Sequence, residues 1–310
     1  MLRNAAWAVG LVLLAGGGEA LASQGYAWSW QPGQTRRFVA KAEVVLPEAI
    51  EFNAAVNVDA LVNTVQIDLV LSCAALDEVG KTAWLVRCDI DAASLRATPN
   101  PQSVHRVEKV APEWATVLAD QAWIELIQGV DGKIRQVDLK GVDTRINRLR
   151  RIGEMMRQLV LRAIAPLDVH LPKGGDDRGA GQWIQKGGLA WMLPSLTGTL
   201  GSSETRWQVG TQSGDRSLLA SSAKGVIASS EEFNGQPRNT IAAQMTGAAV
   251  WDAADGALVE SSYRMTGTVT ASSVQAEARE YSYSQVALVR QIAPGTPDPK
   301  LEPSGETPIR

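Results

Sequence analysis

Two stretches of the chain alternate between apolar and polar side chains. The first runs from Thr64 to Cys73 and the second from Thr82 to Asp91. A period of two residues is typical of a β-strand with one buried face. The apolar positions are Val65, Ile67, Leu69, Leu71 and Cys73 in the first stretch and Trp84, Val86, Cys88 and Ile90 in the second. Turn residues from Asp77 to Lys81 separate the stretches, so the pattern predicts a β-hairpin.

The register of this hairpin determines whether the two cysteines of the chain, Cys73 and Cys88, lie opposite each other. If the turn centres on Gly80 and Lys81, the two cysteines lie directly opposite each other, close enough to form a disulfide. The alternative is a redox-active thiol pair, which usually has two intervening residues near the start of a helix. That spacing is absent here, so we predict a structural disulfide.

One later segment has the three- and four-residue spacing of an amphipathic helix. It extends from Asp143 to Ala165, and Pro166 follows its end. Its apolar stripe, which we expect to face the sheet or an apolar ligand, includes Ile146, Leu149, Ile152, Met156, Leu159 and Val160. Its arginines suggest contact with an anionic membrane surface or an acidic partner, chiefly through Arg145, Arg148 and Arg151. The alternative is that the arginine stems only cover the margins of a packed stripe.

Strands before and after this helix predict an α+β fold that is rich in β-structure. We expect a curved antiparallel sheet, similar to an open half-barrel, with the long amphipathic helix packed on it. The domain should span residues 23–292, with two loosely similar halves around the helix at 143–165. Residues 293–310 contain five Pro and no apolar period, which predicts a disordered tail. Further predicted strands are 35–46, 115–119, 122–128, 133–139, 204–209, 216–223, 240–251, 257–270 and 281–292.

The first 22 residues have the pattern of a secretory signal peptide. Arg3 is followed by the apolar run Ala5–Ala15 and by the small-residue cleavage site Ala20–Ala22. We therefore predict an exported protein, soluble after cleavage and either periplasmic or extracellular.

Composition narrows the range of functions. The chain has 30 Lys and Arg against 33 Asp and Glu, and this balance argues against a nucleic-acid partner. With only two His and two Cys, side-chain ligands for a transition metal are scarce, so no metal or cofactor is predicted.

The region from Gly132 to Glu260 resembles a family of uncharacterised, secreted, β-rich bacterial proteins. The resemblance rests on Gly132–Val137, the helix after it, Leu171-Pro172 followed by Gly181-Gln182-Trp183, and the segment Gly247–Gly256. The family implies the β-rich fold and secretion, and it carries no assigned activity or catalytic residues.

One motif offers a catalytic alternative. Ser221 and Lys224 match the Ser-x-x-Lys arrangement, in which a lysine activates a serine nucleophile. That chemistry needs a helical turn, whereas this segment has the pattern of a strand.

We therefore expect a non-enzymatic binding or envelope protein that carries an apolar ligand such as a lipid between sheet and helix. The alternatives are an interaction scaffold without a pocket and a serine hydrolase that uses Ser221 and Lys224. A binding role also stays open for Trp28 and Trp30, which lie on one side of an early extended segment.

Overall fold

The computed structural model describes residues 26–45, 62–99, 107–142, 157–172, 181–186, 204–228, 232–233, 236–237, 239–273 and 276–306. Within these ranges the protein is β-rich, and one large antiparallel sheet contains eleven strands in a continuous order. The predicted β-rich class and antiparallel sheet are confirmed. No helix in the described ranges is both long and apolar enough to cross a membrane.

Ten strands overlap the predicted windows, several of them extending further, whereas the strands at 182–186, 232–233, 236–237 and 305–306 were not predicted. The bounds of the described strands are β1 Thr35–Val45, β2 Val62–Glu78, β3 Ala83–Pro99, β4 Trp123–Gly129, β5 Ile134–Lys140, β6 Gln182–Lys186, β7 Glu204–Ser213, β8 Arg216–Ala228, β9 Glu232–Phe233, β10 Gln236–Pro237, β11 Asn239–Asp252, β12 Ala257–Ser273, β13 Ala276–Ile292 and β14 Gly305–Glu306.

The order across the sheet is β5-β4-β3-β2-β1-β13-β12-β11-β8-β7-β6, with β14 parallel to β3 and β9 paired to β10 separately. In the middle of the sheet the first strand, β1, pairs with the last long strand, β13, so that Arg37 lies opposite Ile292. The edge strands β5 and β6 are therefore ten strand spacings apart along the sheet.

The predicted hairpin register is confirmed. β2 pairs with β3 so that Cys73 lies opposite Cys88. Their sulfurs form a disulfide, with the two Cα atoms 3.9 Å apart. Both cysteines are buried. The disulfide therefore lies in the apolar layer.

The prediction of a strand at 115–119 is wrong. This stretch lies within helix α1, Val107–Gln121. Its buried residues Trp114, Ala115 and Leu118 follow a helical spacing. α1 packs on β3, so its apolar side joins the core.

The prediction of one long amphipathic helix at 143–165 is not borne out. Among the described residues, only 157–164 are helical in this region, and we name this helix α2. A 3₁₀ turn at Ala165–Leu167 follows it, with Pro166 in the turn. Nearly every residue from 159 to 169 is buried, which is the pattern of an enclosed helix and not of one with a single apolar face. Residues 143–156 lie outside the described ranges.

The C-terminal segment, for which the sequence predicts disorder, runs back to β3 in the structure. β14 pairs with Arg96 and Ala97 of β3. Ser304 Oγ accepts a hydrogen bond of 3.0 Å from Leu95 N. Arg96 forms an ion pair with Glu302. The part of β3 that extends beyond β4 is thus covered by residues 302–306.

Candidate functional site

The sheet has an inner face, which we define as the face covered by residues 157–172, named here the covering segment. Residues of this segment bond to strands at both edges of the sheet. The carboxylate of Asp168 accepts a hydrogen bond of 2.7 Å from Ile134 N at the start of β5. The indole Nε1 of Trp183 on β6 donates a hydrogen bond of 3.0 Å to the carbonyl oxygen of His170.

These two bonds show that the sheet bends. A flat sheet with strands about 4.8 Å apart would separate its edge strands by about 48 Å. Asp168 and His170 are two residues apart, yet they contact β5 and β6 respectively. A third bond supports the same geometry, since Leu171 N donates to Asp131 O in the β4–β5 turn at 2.8 Å. The two edges of the sheet therefore meet across residues 168–171.

The N-terminal residues 26–30 form a second bridge over the inner face. Trp28 N donates to Val130 O in the β4–β5 turn at 2.7 Å, and Ser29 N donates to Gly256 O in the β11–β12 turn at 2.9 Å. The indole of Trp28 packs on that of Trp251, with ring centroids 5.5 Å apart. Trp28 is only 2% exposed. These contacts bring the two turns together and make Trp28 a core residue.

Arg36 fastens this N-terminal bridge to β1. Its Nη2 donates to the carbonyl oxygens of Ser29 at 2.7 Å and Asp255 at 3.1 Å. Its guanidinium lies 4.7 Å from the ring centroid of Trp30, a cation–π contact. Burial lowers the pKa of Arg36, and the nearby Asp255 opposes that effect. Trp30 in turn donates to Gln128 Oε1 at 3.1 Å, so Trp28 and Trp30 both serve packing in the described structure.

A buried polar cluster lies where α2 covers β12 and β13. Arg162 Nη1 donates to the hydroxyl of Tyr283 at 3.4 Å, and the hydroxyl of Tyr263 donates to Arg162 O at 3.5 Å. Gln285 joins the two tyrosines, because it accepts from Tyr283 and donates to Tyr263. The four residues form a closed ring of hydrogen bonds that begins and ends on Arg162.

The two tyrosines stay neutral at ordinary pH. Burial raises the pKa of Tyr263 well above its usual value, and Tyr283 adds to this effect while Arg162 opposes it. Burial likewise raises the pKa of Tyr283, again against the effect of Arg162. Neutral hydroxyls donate hydrogen bonds but supply no negative charge to the arginine.

Two stacked indoles mark the β6–β7 end of the inner face. Trp183 and Trp207 pair across the strands, with centroids 6.1 Å apart and planes inclined by 10°. Trp207 Nε1 donates to Gln185 Oε1 at 3.0 Å. On the neighbouring strands β8 and β11 the inner face carries smaller side chains, including Ser221, Ala223 and Ala243.

The predicted site residues fall into two groups. Leu159 and Val160 lie on α2 and are buried, as are Leu161, Ala163 and Ile164. The remaining predicted residues lie outside the described ranges, namely Ile146, Leu149, Ile152, Met156, Arg145, Arg148 and Arg151.

The catalytic alternative is not supported by the geometry. Ser221 and Lys224 both lie on β8. Three residues of separation on a strand place them on opposite faces, and Ser221 is buried whereas Lys224 is exposed. This lysine cannot activate this serine. Among the described residues no group of His, Cys, Asp and Glu is arranged to hold a metal ion.

Sequence reasoning missed Arg162 and its partners. The available signal was weak: Tyr283 and Gln285 occupy inward positions of β13 next to Ala287 and Val289. A buried glutamine among apolar residues requires polar partners.

Comparison with known proteins gives little further information. No protein-family model matches the chain, and no curated protein matches it significantly. A solved structure describing lipid–protein interactions in lipovitellin is similar over 89% of this chain, with 9% identity and a TM-score of 0.46. The matched region is 27% of that chain, so this protein spans about a quarter of its length.

Proposed function

We propose that the protein is an exported, non-enzymatic binding protein that carries an amphiphile such as a lipid. The ligand lies between the inner face of the sheet and the covering segment. Export rests on the N-terminal pattern of residues 1–22.

The observation that carries this proposal is the meeting of the two sheet edges across residues 168–171. When about eight strands curl until their edges meet, inward side chains alone fill the interior, and larger numbers of strands enclose more space. This sheet has eleven strands in its continuous order. On this basis we infer an interior with room for a ligand beside the covering segment and residues 26–30, which occupy part of it.

The chemistry of the inner face suits an amphiphile. Most inward positions are apolar, such as Leu69, Leu219, Met245 and Met265. The ring of Arg162, Tyr263, Gln285 and Tyr283 supplies a polar cluster within this apolar layer. An apolar chain gains free energy from burial against such a face, and a polar group fixes its orientation.

The test is the lipid content of the exported protein. The protein is expressed with its own N-terminal segment, purified without detergent and extracted with organic solvent for mass spectrometry. We expect acyl lipid in near-stoichiometric amount, and intact mass should show a mature chain that begins at Ser23. A control protein of similar size, exported and purified in the same way, should yield none. An extract without lipid, from a protein that also takes up no fluorescent fatty acid, would refute the carrier function and favour a scaffold.

A further inference from the structure

We propose that the ligand is anionic and that its carboxylate or phosphate head group binds the guanidinium of Arg162. This inference rests on the carrier function proposed above. The carrier function leaves the charge of the head group open.

Arg162 has unused hydrogen-bonding capacity toward the described residues. A guanidinium has five N–H donors. Among the described residues, the side chain of Arg162 makes one hydrogen bond, from Nη1 to the Tyr283 hydroxyl. Its Nε is buried and has no acceptor among the described residues. The residue as a whole is only half-buried, and the proposal places the ligand at its remaining N–H groups.

Arg162 has no ion pair with any described residue, whereas Arg157 on the same helix lies 3.8 Å from Asp138. The buried carboxylate of Asp68 is likewise accompanied by Arg96 at 3.2 Å and Lys41 at 3.6 Å. A charge that is partly removed from water costs free energy unless it is paired. Tyr263 and Tyr283 are neutral and supply no negative charge, so an anionic head group would supply the charge partner that Arg162 lacks among the described residues.

The guanidinium of Arg162 also has the shape to bind an anion. Adjacent N–H groups of a guanidinium form a planar fork that matches the two oxygens of a carboxylate or phosphate. The ring of hydrogen bonds holds Nη1 against Tyr283, which fixes the side chain and leaves the fork preorganised. The apolar inner face around the ring then takes the acyl chain.

A purely structural role explains only part of these contacts. Anchoring α2 to β12 and β13 needs the carbonyl oxygen of Arg162, which accepts from Tyr263, and one side-chain nitrogen. It leaves the buried Nε without an acceptor in the described part of the chain. An anchoring role also predicts no dependence of ligand affinity on head-group charge, and this difference makes the two roles separable.

The experiment measures affinity with matched probes. Delipidated mature protein is titrated with oleate, with oleyl alcohol as a neutral amphiphile of the same chain length, and with sodium acetate and inorganic phosphate as anions without a chain. We expect oleate to bind about tenfold or more tightly than oleyl alcohol, because the free energy of a charge-assisted hydrogen bond corresponds to a change in affinity of that size. Acetate and phosphate alone should bind weakly, because they lack the apolar chain.

Variants then assign the effect to one residue. Arg162→Gln should remove most of the preference for oleate, and Arg162→Lys should keep part of it. Arg264→Gln is the matched control, because Arg264 lies next to Tyr263 on β12 but is exposed on the opposite face. Should Arg162→Gln not fold, the comparison of oleate with oleyl alcohol on the unmodified protein tests the charge of the head group, and Arg162→Lys tests the residue.

The outcomes separate the two proposals. Equal affinity for oleate and oleyl alcohol, unchanged in Arg162→Gln, would overturn the anionic head group and leave the carrier function intact. Binding of neither amphiphile would overturn the carrier function itself. Tight binding of phosphate without binding of oleate would overturn both and show a site for a free anion.

Discussion

The indole of Trp183 on the edge strand β6 donates its N–H to the backbone carbonyl of His170, 3.0 Å away. Next to His170 in the chain, Leu171 bonds to the turn that precedes the opposite edge strand, β5. The dipeptide His170-Leu171 thus joins the two edges of a sheet with eleven described strands. This contact holds the edges together around the interior.

Replacing Trp183 should loosen that contact. Trp183→Phe removes the N–H donor and alters the stack on Trp207, so we expect a loss of about 1–2 kcal/mol in the free energy of unfolding. Amide exchange in 182–186 should become faster. Ile184→Ala is the control, since Ile184 is 56% exposed on the other face of the same strand, and it should leave exchange unchanged. Equal exchange in all three proteins would mean that Trp183 does not hold the edge.

The disulfide should stabilise the N-terminal hairpin. Cys73 and Cys88 close a short loop with a sequence separation of 15. We expect the double variant Cys73→Ala, Cys88→Ala to lose about 3 kcal/mol, as a loop of this length implies. Urea unfolding with and without reductant measures this loss in the free energy of unfolding. The reductant should affect only the unmodified protein. Coinciding curves for the oxidised and reduced protein would contradict this.

Arg36 should be more important for stability than its neighbour Arg37. Arg36→Gln removes the bonds to Ser29 O and Asp255 O and the contact with Trp30. We expect a loss of about 2–4 kcal/mol, since several buried contacts disappear together. Arg37→Gln affects only a partly exposed group, which is worth less than about 1 kcal/mol. Thermal unfolding compares the two variants, and a similar loss in both would refute the assigned role of Arg36.

Removing the C-terminal segment should uncover β3. A chain that ends at Ile292 loses the bond from Leu95 N to Ser304 Oγ and the hydrogen bond from Ser94 Oγ to Glu302 O. We expect faster amide exchange at 94–97 and a loss of about 1–3 kcal/mol for two or three hydrogen bonds. Ser304→Ala should reproduce part of the effect. Unchanged exchange at 94–97 would show that the segment does not protect this edge.

The buried tyrosines predict a loss of stability in alkali. Their pKa values are raised by burial above the ordinary value of 10.0. Above that pH the unfolded chain releases these protons while the folded protein keeps them, so stability is complete below about pH 10 and falls as the pH rises further. The variant Tyr263→Phe, Tyr283→Phe should show a flatter decline of melting temperature between pH 9 and 11. An identical decline in both proteins would contradict the shifted pKa values.

The sequence predicts most of the long strands but neither the edge strand β6 nor the interior. The alternation around Cys73 and Cys88 predicts both the hairpin and its register, because strand pairing across a tight turn is local. Helix α1 was missed because its apolar residues Trp114, Ala115 and Leu118 also fit a short apolar strand. A short apolar run alone does not distinguish helix from strand.

The candidate site depends on contacts between distant parts of the chain. Arg162 and Tyr283 are separated by 121 positions, and they meet because the covering segment crosses the inner face of the sheet. Neither residue stands out in its own segment. The sequence pattern therefore predicts export and an apolar layer but gives no indication of the polar ring.

Native mass spectrometry of the mature protein, purified without detergent, tests the central claim most directly. The account predicts a mass above that of the bare chain by one acyl lipid, which disappears after organic extraction and returns after incubation with oleate. The bare mass in all three samples would contradict it.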